Sequence, residues 1–299
     1  MELNRKYQPI VIIAAGRSGT NALRDCLTRL PAFGTWDCDE INYIWRHGNV
    51  RYPTDEFTVE QATPSVRRYV QKAFDRLASR QNLGFVVEKT CANSLRVGFV
   101  DAIVPEAKYL FLVRDGRDVI ASAMKRWRSY LKGVGHNMQK ARYVPVTDLP
   151  YHMTRYAMNL LYRACSPDRR LAGWGPRFSG MAEMLRTRDL VEVCAVQWVR
   201  CVENSERDFG SIENRRVHRI KYEAFVDRPV EELKRICAFL EIEVAADRLQ
   251  DACRPISSQS IGLWQKNLTE EQARLVFPLI QNVMHLCRYS LDGVVGSCE

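Results

Sequence analysis

The segment GRSGT, residues 16–20, combines groups that bind phosphate. Glycine lets backbone NH groups approach an anion closely, arginine supplies a full positive charge, and serine and threonine add hydroxyl donors. The apolar run PIVIIAA predicts a buried strand before this loop, and the apolar spacing in NALRDCLTRL predicts a helix after it. The loop would then lie at a helix N-terminus, where unpaired NH groups and the helix dipole favour an anion. An ordinary turn between strand and helix is the alternative.

A second candidate anion site lies in VRDGRDVIAS, residues 113–122. The strand predicted from KYLFLVRD delivers Arg114 at its C-terminal end, where ligands bind in open α/β sheets. Ser122 follows about two turns into the next predicted helix. An arginine fork and a hydroxyl can together bind a second phosphate. The alternative is a structural ion pair between Arg114 and Asp115 or Asp118.

The two segments, in this order, resemble the enzymes that use 3′-phosphoadenosine-5′-phosphosulfate (PAPS), the PAPS-dependent sulfotransferases, and the motifs are closest to those of bacterial and carbohydrate-type members. The resemblance implies that the first loop binds the 5′-phosphosulfate, while Arg114 and Ser122 bind the 3′-phosphate. The product would be 3′-phosphoadenosine-5′-phosphate (PAP). The residues implied for the first loop are Gly16, Arg17, Ser18, Gly19, Thr20 and Asn21.

Two later stretches extend the resemblance over most of the chain apart from its middle. IKYEAFVDRPVEELKRICAFLEI is similar to the family's segment after the fourth strand, which implies that Tyr222 lies against the adenine. IGLWQKNLTEEQ is similar to its C-terminal element, which implies nucleotide contacts for Trp264 and Lys266. The sequence departs from the family pattern at Arg17, where many relatives have lysine, and at Leu263, where arginine is common.

The string FVVEKT supplies the expected catalytic residues. It resembles carbohydrate sulfotransferases, in which the glutamate takes the proton of the acceptor hydroxyl, so Glu88 is the expected general base. Lys89 and Arg17 are expected to stabilise the bridging oxygen as it leaves. A carboxylate in a partly desolvated cleft has the raised pKa that suits this role. The alternative is that Glu88 only pairs with Lys89 or Arg17.

The acceptor is expected to be a carbohydrate, a glycoconjugate or another polar molecule. Cytosolic relatives that act on phenols and steroids use a histidine at the equivalent step, and no histidine follows this strand. His47, in EINYIWRHGN, is the rival base. Trp45, His47 and His136 are assigned to acceptor binding. The five histidines are scattered and no metal site is evident, so no metal is expected.

The elements that position these residues predict an α/β, three-layer P-loop-like fold with a central, mostly parallel sheet flanked by helices. Strands are expected at Pro9–Ala15, Gly84–Lys89, Lys108–Asp115 and Val217–Glu223. Residues 1–299 are expected to form a single domain. Glycines, prolines and aromatics at about 129–188 predict a helical or loop insertion, which forms a lid or acceptor wall.

The formal net charge of +9 favours anionic ligands, but the sequence contains no recognised nucleic-acid module, and no nucleic-acid partner is expected. The ten cysteines include no CxxC pair, and the N-terminus shows neither a signal region nor a transmembrane span, which favours reduced thiols in the cytoplasm. Two other hypotheses stay open, a basic adaptor and a P-loop nucleoside or small-molecule kinase with Asp115 near a metal. Ala14 and the missing lysine after Gly19 disfavour the kinase.

Overall fold

A parallel five-stranded sheet forms the centre of the part of the chain that the computed structural model describes, residues 6–128, 142–154, 157–158 and 173–290. The spatial order of the strands is β2-β3-β1-β4-β5, and every neighbouring pair is parallel. The α/β fold with a parallel central sheet is therefore confirmed. The strands are β1 (Gln8–Ile13), β2 (Phe33–Gly34), β3 (Phe85–Lys89), β4 (Lys108–Val113) and β5 (Val217–Lys221).

Helices cover both faces of the sheet, as its apolar strands require, since a parallel sheet buries both of its faces. The helices in the first half of the chain are α1 (Thr20–Leu27), α2 (Asn42–Trp45), α3 (Pro64–Gln81), α4 (Val97–Ile103) and α5 (Gly116–Arg128). Those in the second half are α6 (Met181–Thr187), α7 (Leu190–Phe209), α8 (Tyr222–Asp227), α9 (Pro229–Leu240), α10 (Ala246–Cys253), α11 (Trp264–Asn267) and α12 (Glu270–Leu286).

The core therefore consists of two apolar layers, one on each face of the sheet. Helices α3, α4, α5, α7 and α12 pack on the face that presents Val11, Val86 and Phe111. Helices α1, α8, α9 and α10 pack on the opposite face, which presents Ile12 and Val87. Successive residues of a strand point to opposite faces, and this alternation decides which end-of-strand side chains face which layer.

Four strands match the sequence prediction within two residues at each end, and one strand was missed. β2 contains only Phe33 and Gly34, too few residues to show an alternating pattern. Tyr222 and Glu223, expected at the end of the last strand, instead begin α8. No helix among the described residues is both long and apolar enough to cross a membrane.

Candidate active site

A cavity of about 1060 Å³ opens at the carboxyl edge of the sheet, where β1, β3 and β4 end. Its walls come from the loops that follow these strands and from segments much later in the chain. The predicted site residues that line it are Gly16, Arg17, Gly19, Thr20, Asn21, Lys89, Arg114, Ser122 and Tyr222. Both predicted anion-binding segments therefore meet in one cavity.

The loop after β1 has the tight backbone that its glycines predicted. Gly19 is the N-cap of α1 with φ +94°, a left-handed conformation that favours glycine. A Cβ atom there would overlap the ring of Tyr222, so the loop also packs closely against α8. Arg17 has φ +75°, and the Oγ of buried Ser18 has no hydrogen-bond partner in the described chain.

Arg114 connects the two anion-binding segments. Its Nη1 donates to the carbonyl oxygen of Arg17 at 3.2 Å, and its Nη2 donates to the carbonyl oxygen of Ser260 at 2.5 Å. The guanidinium lies over the Tyr222 ring, 4.4 Å from its centroid, and 3.5 Å from Asp118. Its Nε is buried and has no partner among the described residues. Arg114 thus forms the structural ion pair with Asp118 that was the alternative to phosphate binding. It also keeps one donor, Nε, without a partner among the described residues.

Arg17, in the first anion-binding segment, also contacts the second one through Ser122. Its Nε donates to Ser122 Oγ at 3.0 Å, which places that hydroxyl beside the loop after β1. Burial, together with the charges of Arg126 and Arg114, lowers the pKa of Arg17. An anion among these cations would relieve their mutual repulsion. Five cationic side chains line the cavity against three carboxylates: Arg17, Lys89, Arg114, Lys125 and Arg126 against Asp39, Glu40 and Asp118.

Lys89, at the end of β3, contacts two of these carboxylates. Its Nζ lies 2.8 Å from Asp39 Oδ1 and 3.6 Å from Glu40 Oε1. Burial alone would lower the pKa of Lys89, but the neighbouring negative charges outweigh burial and raise it. Lys89 therefore remains a cation, held at the wall of the cavity between the two carboxylates.

Glu88 is placed differently from the sequence expectation. Its side chain is completely buried in the layer of α4 and α7, and it does not line the cavity. Oε2 accepts a hydrogen bond from Asn93 Nδ2 at 3.0 Å. Burial raises the pKa of Glu88 to about 7, although the neighbouring polar side chains of Thr90 and Trp45 act in the opposite direction. In this structure Glu88 has the raised pKa of a general base without contact with the cavity.

Five other predicted residues that the structure describes also fall outside the lining of the cavity. Trp45 is fully buried against Phe74, and His47, just after α2, has its Nδ1 2.8 Å from Asp148 Oδ2. The side chain of Trp264 is buried under Arg117, and Lys266 is exposed. Ser18 is buried beneath the loop after β1, and His136 lies outside the described residues.

Several lining residues were not assigned by the sequence analysis. Trp174 stands over the first loop, since a Cβ added at Gly16 would contact its ring at 3.4 Å. Asp39, Glu40 and Asn42 enter from the segment after β2, the strand that the sequence did not reveal. Ser260 is held by the Tyr222 hydroxyl at 2.6 Å. Within the described residues, no group of three or more potential ligands could hold a metal ion.

Comparison with known proteins places this site in a family. The family model described as a sulfotransferase domain matches residues 8–261. No curated protein matches the sequence.

Solved structures of low sequence identity share the fold. The sulfotransferase domain from the curacin biosynthetic pathway is 15% identical with a TM-score of 0.55, over 96% of this chain and 100% of that one. Sulfotransferase STF9 from Mycobacterium avium is 13% identical with a TM-score of 0.57, over 97% of this chain and 79% of that one. Because the family model covers most of its length, the chain belongs to the sulfotransferase domain family and is a PAPS-dependent sulfotransferase.

Proposed function

We propose that the enzyme transfers the sulfuryl group of PAPS to a hydroxyl of a carbohydrate or another polar acceptor. The observation that carries the proposal is the meeting of both anion-binding segments in one cavity with an excess of cationic side chains. The buried donor Arg114 Nε, which has no partner among the described residues, fits a site that binds anionic groups. A donor with two separate phosphate positions matches this arrangement.

The residues fall into two groups around the donor. The loop at residues 16–21 would hold the 5′-phosphosulfate at the N-terminus of α1, where backbone NH groups and the helix dipole favour anions. Arg114 and Ser122 would hold the 3′-phosphate, and Tyr222 would lie beside the adenine. Leu263 lines the cavity, whereas Trp264 and Lys266 do not. These two residues would therefore contribute to nucleotide binding through the backbone of the segment that carries Leu263.

Sulfuryl transfer requires the acceptor oxygen and the leaving oxygen to be held in line and the developing charge to be stabilised. Bound PAPS supplies the sulfuryl group and the leaving phosphate. Arg17 and Lys89 would stabilise negative charge on the leaving oxygen. The general base would be a carboxylate on the Lys89 side: the resemblance indicates Glu88, whereas the cavity itself presents Glu40.

Other residues that line the cavity support a polar acceptor. Trp174 offers an aromatic face, and Asp39 and Asn42 offer groups that hydrogen-bond to hydroxyls, a combination that suits a sugar ring. Trp174 belongs to the predicted insertion at 129–188, so we propose that the part of the insertion that lines the cavity, residues 173–175, forms the acceptor wall. Residues 129–141, 155–156 and 159–172 of the insertion lie outside the described residues.

Calorimetric titration with PAP tests the donor site, with ATP and magnesium as the comparison ligand. We expect tight binding of PAP and weak binding of ATP, since Asp115 is occupied by Arg117 through both carboxylate oxygens. Loss of PAP binding together with magnesium-dependent ATP binding would favour a kinase instead.

Transfer of radiolabelled sulfate from PAPS to methyl glucoside, 4-nitrophenol and a tyrosine peptide identifies the acceptor class. A preference for the phenol would contradict the carbohydrate proposal.

The variant Arg114→Gln examines the 3′-phosphate site. Loss of a charged, bidentate donor to phosphate costs about 2–3 kcal/mol, so we expect PAP affinity to fall on the order of 30-fold or more. The affinity for adenosine-5′-phosphosulfate, which lacks the 3′-phosphate, should change much less. Equal losses for the two nucleotides would contradict this assignment of Arg114.

A further inference from the structure

The ring of Trp174 lies against the loop that the proposed function assigns to the 5′-phosphosulfate. A Cβ atom added at Gly16 would lie 3.4 Å from Cη2 and 3.9 Å from Cζ2 of the indole, so the ring edge contacts the loop where Gly16 has no side chain. Trp174 also packs edge to face against buried Trp127, with 6.4 Å between the ring centroids. The partly buried indole is therefore a piece of cavity wall next to the position expected for the sulfuryl group.

One buried side chain of α7 holds the backbone that carries this ring. Gln197 Nε2 donates to the carbonyl oxygens of Trp174 and Pro176, each at 2.9 Å. Between the two carbonyls the chain turns at Gly175, which has φ +73°, and a Cβ there would lie 3.0 Å from Gln197 Nε2. Only 5% of Gln197 is exposed, so without its amide the two carbonyl groups would lose a buried donor.

The segment is also fixed on the far side of Pro176. The backbone NH of Asp55 donates to the carbonyl oxygen of Arg177 at 2.7 Å, and the NH of Arg177 donates to Asp55 Oδ2 at 2.9 Å. Asp55 is buried and pairs with Arg46 at 2.6 Å. Residues 174–177 are thus connected to α7 at one end and to the segment after α2 at the other, and both connections restrict where the Trp174 ring can lie.

A sulfuryl donor can react with water as well as with an acceptor hydroxyl. Water is far more concentrated than any acceptor, so a transferase has to keep water away from the reacting group. Among the described residues, two aromatic side chains line the cavity, Trp174 and Tyr222, and Tyr222 is assigned to the adenine. Trp174 is therefore the large, mostly apolar side chain that is available to cover the sulfuryl position.

We propose that Trp174 shields the sulfuryl group from water and that Gln197 is the positioning residue that holds Trp174 in place. The inference rests on the proposed function. In the reaction that Trp174 suppresses, a water oxygen forms a bond to sulfur while the bond between sulfur and the bridging oxygen breaks. The electron pair of the broken bond stays on the 5′-phosphate of PAP. Inorganic sulfate leaves with the water oxygen, and the two protons of the water pass to solvent or to the phosphate.

The test compares Trp174→Ala, Trp174→Phe, Gln197→Met and the double variant Trp174→Ala/Gln197→Met in the full chain. Methionine has nearly the length of glutamine but no NH donor. Gln281→Met, exposed on α12, makes the same chemical change away from the cavity and is the control. Calorimetry with PAP and a thermal melt establish the donor site and the fold of each variant. Release of radiolabelled sulfate from PAPS is then measured with water as the only acceptor.

Trp174→Ala should hydrolyse PAPS on the order of tenfold faster than the unaltered enzyme, because water reaches the sulfuryl group. Trp174→Phe, which keeps a ring, should hydrolyse it at nearly the rate of the unaltered enzyme, as should Gln281→Met. Gln197→Met should change hydrolysis in the direction of Trp174→Ala. In the Trp174→Ala background the same substitution should have almost no further effect, because Gln197 acts through Trp174.

Hydrolysis by Trp174→Ala at or below the rate of the unaltered enzyme would overturn the shielding role. An equal effect of Gln197→Met with and without Trp174 would overturn the positioning role. Gln197→Asn, which moves the NH donors back by one carbon, gives the same comparison if Gln197→Met does not melt cooperatively. An unaltered enzyme that fails to bind PAP would contradict the proposed function and this inference with it, whereas normal PAP binding with unchanged hydrolysis in every variant would contradict this inference alone.

Discussion

Glu88 and Lys89 are neighbours in sequence with different surroundings. Successive side chains of a strand point to opposite faces, so Glu88 joins the layer of Val86, and Lys89 turns towards Asp39 and α1. The Glu-Lys-Thr string predicted a base and a cation acting together. At the end of β3, however, only Lys89 lines the cavity. The alternation that separates the two side chains was already readable from the sequence.

The raised pKa of Glu88 makes the stability of the protein depend on pH. Between an ordinary glutamate's 4.5 and about 7, the folded state retains a proton that the unfolded chain loses. Stability contributed by this proton is complete below pH 4.5 and is lost as the pH rises through 7. The loss is about 3 kcal/mol at most, at 1.36 kcal/mol per pKa unit. Glu88→Gln should remove this decline between pH 5 and pH 8.

Urea unfolding of the unaltered protein and of Glu88→Gln at several pH values between about 5 and 8 measures this difference. Glu203→Gln, on the exposed side of α7, is the matched control and should follow the unaltered protein at every pH. Parallel stability curves for Glu88→Gln and the unaltered protein would contradict the assigned pKa.

The element that positions the donor is the junction of β1, the loop and α1, and its geometry depends on Gly19. Alanine there adds left-handed backbone strain of about 1 kcal/mol and an overlap with the Tyr222 ring that costs a further 1–3 kcal/mol. Because the loop NH groups are the expected phosphate donors, we expect Gly19→Ala to weaken PAP binding on the order of tenfold or more, measured by calorimetry.

Gly180→Ala separates the two contributions. Gly180 is also the left-handed N-cap of a helix, with φ +83°, and a Cβ there meets nothing within 4 Å. This control should show the backbone strain alone, with a stability loss of about 1 kcal/mol and unchanged PAP affinity. Equal effects of the two substitutions would show that contact with Tyr222 does not determine the loop.

At the same scale, elements with a clear hydrophobic period were predictable and short ones were not. Three central strands follow directly from their patterns, and the sequence also carries the cap of α12, where Thr269 accepts the backbone NH of Gln272. β2, with two residues, carries no period, so the carboxylates after it could not be placed beside β3. Trp174 lies between Gly173 and Gly175, in a segment without a hydrophobic period. Because tertiary packing alone determines the path of this segment, the sequence did not predict that Trp174 lines the cavity.

For the molecule as a whole, the cavity joins segments that are distant in sequence. Its walls include the loop after β1, the segment after β2, the ends of β3 and β4, Trp174, and the segment around Ser260. The two apolar layers lie on opposite faces of the sheet whose carboxyl edge carries the cavity. A ligand that binds here contacts several of these segments at once, and it stabilises the folded state in which they are assembled.

Donor binding should therefore raise the thermal stability of the entire chain. Binding to the folded state alone contributes about 2.7 kcal/mol when the ligand concentration is 100 times Kd. For a chain of this size that corresponds to a Tm increase of about 4–6 °C, measured by calorimetry or differential scanning fluorimetry. The same PAP concentration should raise the Tm of Arg114→Gln very little, because this variant has lost affinity for PAP. As a ligand control, ATP at that concentration should leave the unaltered protein near its ligand-free Tm. A PAP-induced increase that persists in Arg114→Gln would mean that the nucleotide binds elsewhere, and that the excess positive charge of the chain, rather than this cavity, attracts it.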